Sequence, residues 1–367
     1  MYHSLNIVTF YILFSTLYEP SYADSVLTQL PHLNIDEKRI SISGLSSGAD
    51  FAVQFQVAFS KQIMGLGVFA GQPYHCAVTR FPNDPMEPLN PDVPICEGCP
   101  ENKTLIYDHC KSHPDFVDVR ILVENARQHA ASGYIDRLDH LSSAKIYTYA
   151  GTKDPTIGAT KKTRDFFAQF VPTANLLFNF TIPSGHCWPQ NIGINTCGPW
   201  NRWMGNTWPA ENCGYDGPGI MLEHIYGNLT PPARSIVRES LMWFDQTPFN
   251  GNNTLRIGLS KTGIVYVPRK CSGGALCSLH ISLHGCSELF VFEDILMHTM
   301  SFNRWAETNN IVILWPHVGP HGGTNATKEE KQGCWDGYGQ TGSTYDTRHS
   351  VQMQAIWNMV HTMSRGT

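Results

Sequence analysis

The stretch KRISISGLSSGA, from Lys38 to Ala49, decides the fold class. Its apolar and polar residues alternate as far as Ser43, which is typical of a β-strand, and a helical pattern of apolar residues begins at Ala49. Between them lies the pattern G-x-S-x-G, whose central Ser46 occupies a tight strand-to-helix turn that the two glycines permit. The stretch predicts a nucleophile at Ser46 and a backbone N–H at Ser47 that can stabilise an oxyanion.

Two later strands, at 145–150 and 176–181, are each followed by a residue that could activate a serine. A serine hydroxyl needs a base, and the base needs a carboxylate that orients it. Asp154 follows the first of these strands and His186 follows the second, in the chain order Ser, Asp, His. Both residues are therefore predicted at the sheet edge where Ser46 emerges, Asp154 as the acid and His186 as the base.

Strands and helices alternate along the rest of the chain, which predicts an α/β fold with a mainly parallel sheet covered on both faces. The remaining predicted elements are helices near 161–170, 234–244, 294–306 and 349–363, a hairpin at 255–259 and 264–268, and strands at 279–283 and 311–316. Two stretches, near 76–113 and 187–230, fit neither period and hold most of the cysteines. We expect them to be disulfide-stapled loop insertions in a single domain over 24–367.

Composition and charge exclude several classes of protein. The 367 residues are 42% hydrophobic and 16% charged, which is ordinary for a globular chain. The net charge is −5 and no run of Lys or Arg exceeds two, so nucleic acid and anionic membranes are not expected partners. The oligomeric state is left open by the sequence.

The N-terminus and the cysteines predict secretion. An apolar run at 7–17 is followed by Ser21-Tyr22-Ala23, which fits a signal peptide over 1–23; a core helix is the alternative. Eleven cysteines and five N-x-S/T sequons indicate a disulfide-bonded, extracellular glycoprotein with at least one unpaired cysteine. A zinc site at Cys96-x-x-Cys99 is the weaker interpretation, because no second pair of ligands follows at the required spacing.

A second oxyanion donor is expected from Leu283-His284-Gly285-Cys286, which follows a buried strand and places the N–H of Cys286 in the loop. This motif comes after the Ser, Asp and His candidates, whereas an uncut α/β hydrolase has it before the nucleophile. The C-terminal helix should also precede the strand at the N-terminus. The order predicts a circularly permuted α/β-hydrolase domain, joined near residue 251.

Four motifs together make the resemblance specific: Gly44–Ala49, Phe69–Cys76, Leu283–Cys286 and Gly333–Asp336. From about Leu33 to the C-terminus, apart from the two insertions, the chain resembles the secreted, circularly permuted fungal-type poly(3-hydroxybutyrate) depolymerases, which are esterases of the α/β-hydrolase fold. The resemblance implies that Ser46, Asp154 and His186 form a catalytic triad. It also implies that the N–H groups of Ser47 and Cys286 are the two oxyanion donors and that Trp335 lines the substrate cleft.

The resemblance implies a secreted serine esterase that hydrolyses poly(3-hydroxybutyrate)-type polyesters or small esters and needs neither a metal nor an organic cofactor. Feruloyl, acetyl or short-chain esters are the alternative substrates, and a non-catalytic secreted binding protein on a hydrolase fold is the alternative from another class. The Trp-rich stretch that often follows Cys-Trp-Asp in the family is replaced by Gly337 and Tyr338.

Two disulfides are also expected. Cys286 carries a proposed oxyanion donor and Cys334 precedes Trp335, so a Cys286–Cys334 bond would fix the donor loop to the expected wall of the cleft. Cys271–Cys277 is predicted as a second, local bond. The alternative is that Cys286 is a small buried residue and that Cys334 pairs within an insertion.

Overall fold

The structure is a computed structural model that describes residues 27–89, 108–193, 195–198, 210–251, 257–288, 300–321 and 328–364. The predicted signal peptide at 1–23 lies outside these ranges, as do the Cys96-x-x-Cys99 motif and the first part of the helix predicted at 294–306. Within the described ranges, no helix combines the length and the apolarity needed to cross a membrane.

The central sheet has eight strands. They are β1 (Ile35–Leu45), β2 (Ile63–Phe69), β3 (Lys145–Tyr149), β4 (Leu176–Asn179), β7 (Leu241–Asp245), β8 (Thr262–Tyr266), β9 (Cys277–Leu283) and β10 (Ile311–Trp315), while β5 (Trp188–Gln190) and β6 (Ala210–Asn212) form a separate small sheet. The order across the main sheet is β4-β3-β2-β1-β9-β10-β8-β7. Seven of these strands run in the same direction, and β8 runs antiparallel to them.

Helices cover both faces of the sheet, which confirms the predicted α/β fold class. The described helices are α1 (Ser47–Ala58), α2 (His109–Ser112), α3 (Val119–Ala131), α4 (Ile157–Phe167), α5 (Gly217–Tyr226), α6 (Arg269–Ser272), α7 (Phe302–Asn309), α8 (Lys328–Lys331) and α9 (Val351–Ser364). One apolar core lies between the sheet and α1, α3, α4 and α9. A second core lies on the opposite face, against α5 and α7.

The alternation in β1 reflects two buried faces rather than one buried and one wet face. Ile40 and Ile42 point into the first core. Ser41 and Ser43 point to the other face, where their hydroxyls bond the two ring nitrogens of His280 at 2.7 and 2.8 Å. These side-chain bonds join β1 to β9 and satisfy polar groups that water cannot reach.

The ends of the described chain meet, as a circular permutation requires. The N–H of Leu33 donates to the carbonyl of Met363 at 2.8 Å, and the hydroxyl of Ser364 donates to Glu37 at 3.0 Å. Helix α9 therefore leads directly into β1. Counted from β7, the strands of the main sheet run 1-2-4-3-5-6-7-8 across it, which is the order of an α/β hydrolase started at a different point.

The helix predicted at 234–244 is wrong. A short 3₁₀ turn at Arg238–Ser240 leads into β7, whose residues alternate between the two cores: Leu241 and Trp243 face one, Met242 and Phe244 the other. This period of two overrides the helical spacing. Because β7 pairs with β8 over its whole length, the predicted join near residue 251 would divide one antiparallel hairpin, and the structure places the join before β7.

The stretch predicted as a loop insertion at 187–230 contains β5, β6 and a helix among its described residues. Its last part is α5, which packs on β2 where Gly65 and Gly67 leave space. A Cβ built on Gly67 would lie 1.9 Å from the sulfur of Met221, and one on Gly65 would lie 2.7 Å from Ile225. The glycines of β2 admit this helix, so α5 belongs to the core of the domain.

Candidate active site

Ser46 occupies a strained turn between β1 and α1. It has φ 55° and ψ −121°, a left-handed conformation that few residues other than glycine adopt. Its N–H donates to the carbonyl of Phe69 at 2.9 Å. A Cβ on Gly44 would lie 2.1 Å from the carbonyl carbon of Gly48, and one on Gly48 would lie 2.3 Å from the carbonyl oxygen of His284. Both glycines of the motif are therefore required by backbone contacts.

Asp154 lies in the loop after β3, with 3% of its surface exposed. Its Oδ1 accepts hydrogen bonds from both the N–H and the hydroxyl of Thr156, each at 2.8 Å. The loop is bound to the one after β4 by two backbone hydrogen bonds, from Thr152 to Ile182 at 2.8 Å and from Lys153 to Ser184 at 3.0 Å. These bonds set the carboxylate beside the loop that carries His186.

His186 faces Asp154 through its Nδ1, at 3.1 Å from Oδ1 and 3.0 Å from Oδ2. Burial disfavours the imidazolium, but the Asp154 charge and hydrogen bond outweigh it and raise the pKa of His186 above its ordinary value. Burial likewise opposes the Asp154 charge, yet the charge of His186 and the hydrogen bonds from His186 and Thr156 lower the pKa of Asp154. The pair can hold a proton on imidazole next to a fixed carboxylate.

The loop after β9 approaches Ser46. A Cβ on Gly285 would stand 3.3 Å from the Cβ of Ser46 and 3.1 Å from the Oε1 of Glu288. Burial raises the pKa of Glu288 to about 7, while the N–H of Gly285 and the charge of His186 act in the opposite direction. The position of Glu288 near Ser46 could not be predicted from the sequence, because no motif includes this residue.

The direction of the Cys286 N–H is fixed by His284. The N–H of Val318 donates to His284 Nε2 at 3.1 Å, so Nδ1 carries the proton and donates it to the carbonyl of Gly285 at 2.7 Å. Burial lowers the pKa of His284 to about 4, which keeps this ring neutral. In a trans peptide the C=O and the following N–H point in opposite directions. The N–H of Cys286 therefore points away from His284.

Residues 334 and 335 hold the two predicted oxyanion donors. The expected Cys286–Cys334 disulfide is confirmed, with a Cα–Cα distance of 4.4 Å, and so is Cys271–Cys277. The hydroxyl oxygen of Ser47 accepts a hydrogen bond from the N–H of Trp335 at 3.3 Å. The segment that carries Cys334 and Trp335 thus contacts Ser47 and is covalently bonded to Cys286.

Trp335 does not line an open cleft, which corrects the prediction. Its side chain is fully buried and packs against Phe51 at 5.1 Å and His284 at 5.5 Å between ring centroids. The adjacent Asp336 is also buried and accepts backbone hydrogen bonds from residues 338–341. The Gly333–Asp336 motif therefore supports the oxyanion loop from behind, because its large ring fills the core and its carboxylate organises the next turn.

Two clusters of possible metal ligands occur among the described residues. The first comprises Cys187, Glu211 and Cys213, but the sulfur of Cys213 is bonded to Cys197. Cys187 is the free thiol of the described chain, in agreement with the odd cysteine count, and burial keeps its pKa well above its ordinary value. The second cluster comprises His75, His129 and Asp346, and it contains neither Ser46 nor the His186–Asp154 pair.

The strand order, the strained serine turn and the His–Asp pair at the same sheet edge define an α/β hydrolase of the serine type. No family model matches the chain. It is 32% identical over 345 residues to a poly(3-hydroxybutyrate) depolymerase of Delftia acidovorans, covering 92% of this chain and 62% of that enzyme. It is 31% identical over 361 residues to a polyhydroxybutyrate depolymerase of Talaromyces funiculosus, covering 94% and 95% of the two chains.

Solved structures agree. The crystal structure of a PHB depolymerase from Penicillium funiculosum superposes with a TM-score of 0.74 at 29% identity, covering 92% of this chain and 99% of that one. The same values hold for a serine-to-alanine variant of a PHB depolymerase complexed with an R3HB trimer. The chain belongs to the poly(3-hydroxybutyrate) depolymerase family, which confirms the resemblance found in the sequence.

Proposed function

We propose that the protein is a secreted serine esterase that hydrolyses the ester bonds of poly(3-hydroxybutyrate)-type polyesters. The observation that carries the proposal is the His186–Asp154 pair, which lies at the same sheet edge as the strained Ser46 and has Nδ1 3.0 Å from the carboxylate. The two depolymerases that match the chain in sequence support the polyester substrate, and so does the R3HB trimer in the related complex.

In the proposed reaction, Ser46 Oγ forms a bond to the ester carbonyl carbon while His186 takes the hydroxyl proton. Because Nδ1 of His186 faces Asp154, Nε2 is the nitrogen left for this proton. The carbonyl oxygen becomes an oxyanion that the N–H groups of Ser47 and Cys286 stabilise, by about 3 to 4 kcal/mol per donor in comparable sites.

The tetrahedral intermediate collapses when the carbon–oxygen bond to the alcohol breaks, and the alcohol leaves with the proton from His186. Water then attacks the acyl carbon while His186 takes one of its protons. The bond between this carbon and Ser46 Oγ breaks as His186 gives the proton to Oγ, so the acid is released and the serine hydroxyl is restored. Apart from the ester and the water, the proposed steps use only groups of this chain, and Asp154 remains ionised beside His186 throughout.

Covalent labelling with a fluorophosphonate probe tests whether the protein is an enzyme. We expect the wild type to be labelled and Ser46→Ala to be unlabelled and inactive. Ser47→Ala is the matched control, because its hydroxyl accepts a bond from Trp335 and is not the nucleophile, so labelling should persist. Absence of labelling in the folded wild type would favour a binding protein.

Product analysis tests the substrate. We expect soluble 3-hydroxybutyrate products from a polymer film in a Ser46-dependent reaction. Labelling without film hydrolysis, together with release of ferulate, acetate or short acyl groups from model esters, would assign the other esterase activity.

Secretion is supported by the four disulfides among the described residues, since such bonds persist in oxidising compartments. N-terminal sequencing of the secreted protein should find Asp24 as the first residue if the segment 1–23 is a signal peptide.

A further inference from the structure

Outside the site, three metal-ligating side chains from distant parts of the chain come together. His75 lies in the loop after β2, His129 in the last turn of α3 and Asp346 in the turns before α9. One potential ligand atom from each residue lies within 4.8 Å of the other two. The adjacent Cys76 is bonded to Cys110, which anchors the loop that carries His75.

His129 is held in the form that can bind a metal. The hydroxyl of Tyr74 donates its single hydrogen to the main-chain carbonyl of Asp346 at 3.2 Å. The same oxygen lies 2.8 Å from His129 Nδ1, and it accepts a hydrogen bond there when Nδ1 carries the ring proton. The Nε2 of His129 is left with a free lone pair, and its ring is oriented by a hydrogen bond of the kind found behind metal-binding histidines.

Asp346 supplies a buried carboxylate to the cluster. Its side chain is fully buried, and its Oδ2 accepts a hydrogen bond from His75 Nδ1 at 2.5 Å. Within the part of the chain that the structure describes, its Oδ1 lies within hydrogen-bond distance of no partner. A buried carboxylate oxygen without a partner is costly, and a cation beside it would remove that cost.

We propose that His75, His129 and Asp346 form a binding site for a divalent transition metal, with Zn²⁺ as the best match; the metal would displace the proton that His75 Nδ1 donates to Asp346, and this proton would be released to solvent. Two imidazoles and one carboxylate are ligands that Zn²⁺ prefers, whereas Ca²⁺ and Mg²⁺ prefer oxygen alone. Because both histidines are partly exposed, water can complete the coordination. The metal would join the turns before α9 to the loop after β2 and to α3.

The proposal is independent of ester hydrolysis and is tested by metal binding. The full-length secreted protein, freed of metal by a chelator and dialysed, is titrated with Zn²⁺ and analysed by calorimetry and by elemental analysis. We expect one saturable Zn²⁺ per chain and a rise in Tm of at least about 2 °C at saturation, because a ligand that binds only the folded state stabilises it. Absence of saturable binding up to about 1 mM Zn²⁺ would overturn the proposal.

Variants locate the site. His129→Gln should weaken Zn²⁺ binding at least tenfold and abolish the rise in Tm, and Asp346→Asn and His75→Gln should do the same. The matched control is His349→Gln, which changes an exposed histidine near Tyr134 that is not in the cluster and should bind Zn²⁺ as the wild type does. Wild-type affinity in the folded cluster variants would overturn the proposal; if one variant fails to fold, the other two decide.

Discussion

Different interactions position the proposed nucleophile, Ser46, and the proposed acid–base pair, Asp154 and His186. Ser46 stands where backbone packs against backbone, with Gly48 too close to His284 to accept a side chain. His186 and Asp154 stand on two loops that are joined by hydrogen bonds at 2.8 to 3.1 Å. Changes around Ser46 should therefore act on folding, whereas changes at the acid–base pair should act on rate while the fold survives.

The largest effect on stability is expected from Gly48→Ala, which places a side chain where the main chain of α1 packs against the main chain of residues 283 and 284. The added Cβ would lie 2.3 Å from the carbonyl oxygen of His284 and 2.6 Å from that of Leu283, the last residue of β9, and neither main-chain oxygen can rotate away. We expect a loss of at least about 3 kcal/mol in the free energy of unfolding, seen as a lower Tm or loss of soluble protein.

Gly198→Ala is the control for Gly48→Ala, because a Cβ there would meet no described residue within 4 Å. Its stability should stay within about 0.5 kcal/mol of the wild type. If Gly48→Ala were as stable as this control, the contact between α1 and the loop after β9 would not be what fixes the nucleophile.

Asp154→Asn removes the charge that faces His186 and should leave a folded protein. The amide cannot stabilise the imidazolium and favours the wrong tautomer of His186, so kcat should fall by about 10⁴-fold, as it does in a comparable triad. The measurement is ester hydrolysis together with circular dichroism. A fully active Asp154→Asn protein would assign the acid to another residue, and Asp136 and Asp139 would be tested next.

The pH dependence of activity gives a second test of the interaction between Asp154 and His186. In the proposed mechanism His186 is the base and must be neutral to accept the proton, and Asp154 raises the pKa of His186 above its ordinary value. Activity of the wild type should therefore fall as the pH drops through that raised pKa. Removing the carboxylate charge in Asp154→Asn lowers the pKa of His186, so the acid limb of its residual activity should move to lower pH. A limb that stays in place would mean that another group controls it.

The same contrast explains what the sequence could predict. The elbow is encoded in twelve consecutive residues, Lys38 to Ala49, because its geometry depends on local backbone sterics. Asp154 and His186 could be placed at strand ends by chain order. The partners that fix them, such as Thr156 and Ser184, could not be deduced, since hydrogen bonds between loops leave no pattern in the sequence.

The errors have physical causes as well. At 241–244 each residue faces one of two apolar cores, so a strand with apolar residues on both faces carries them at helical spacings too. Trp335 was expected in the cleft because of its motif, but its burial depends on contact with Phe51, far away in the chain. The packing of α5 on the glycines of β2 could not be predicted, because a glycine in a strand does not indicate which element lies against it.

The smallest effect on rate is expected from removing the covalent link behind the oxyanion loop. In Cys286→Ala/Cys334→Ala the N–H of residue 286 keeps its hydrogen-bonded orientation through His284 but loses its tether to residue 334. Since a displaced donor stabilises the oxyanion less well, we expect kcat to fall by about tenfold, less than the 10²- to 10³-fold loss of an entire donor. Kinetics on a soluble ester measure this change.

Cys271→Ala/Cys277→Ala separates the local effect from general destabilisation. Its disulfide spans 6 residues at the start of β9, whereas Cys286–Cys334 spans 48, so chain entropy gives losses of about 2 and about 4 kcal/mol. The control should therefore lose stability but keep kcat, while the Cys286/Cys334 variant should lose both. Equal kcat values for the two variants, measured well below their Tm, would show that the peptide orientation set by His284 is sufficient to hold the donor.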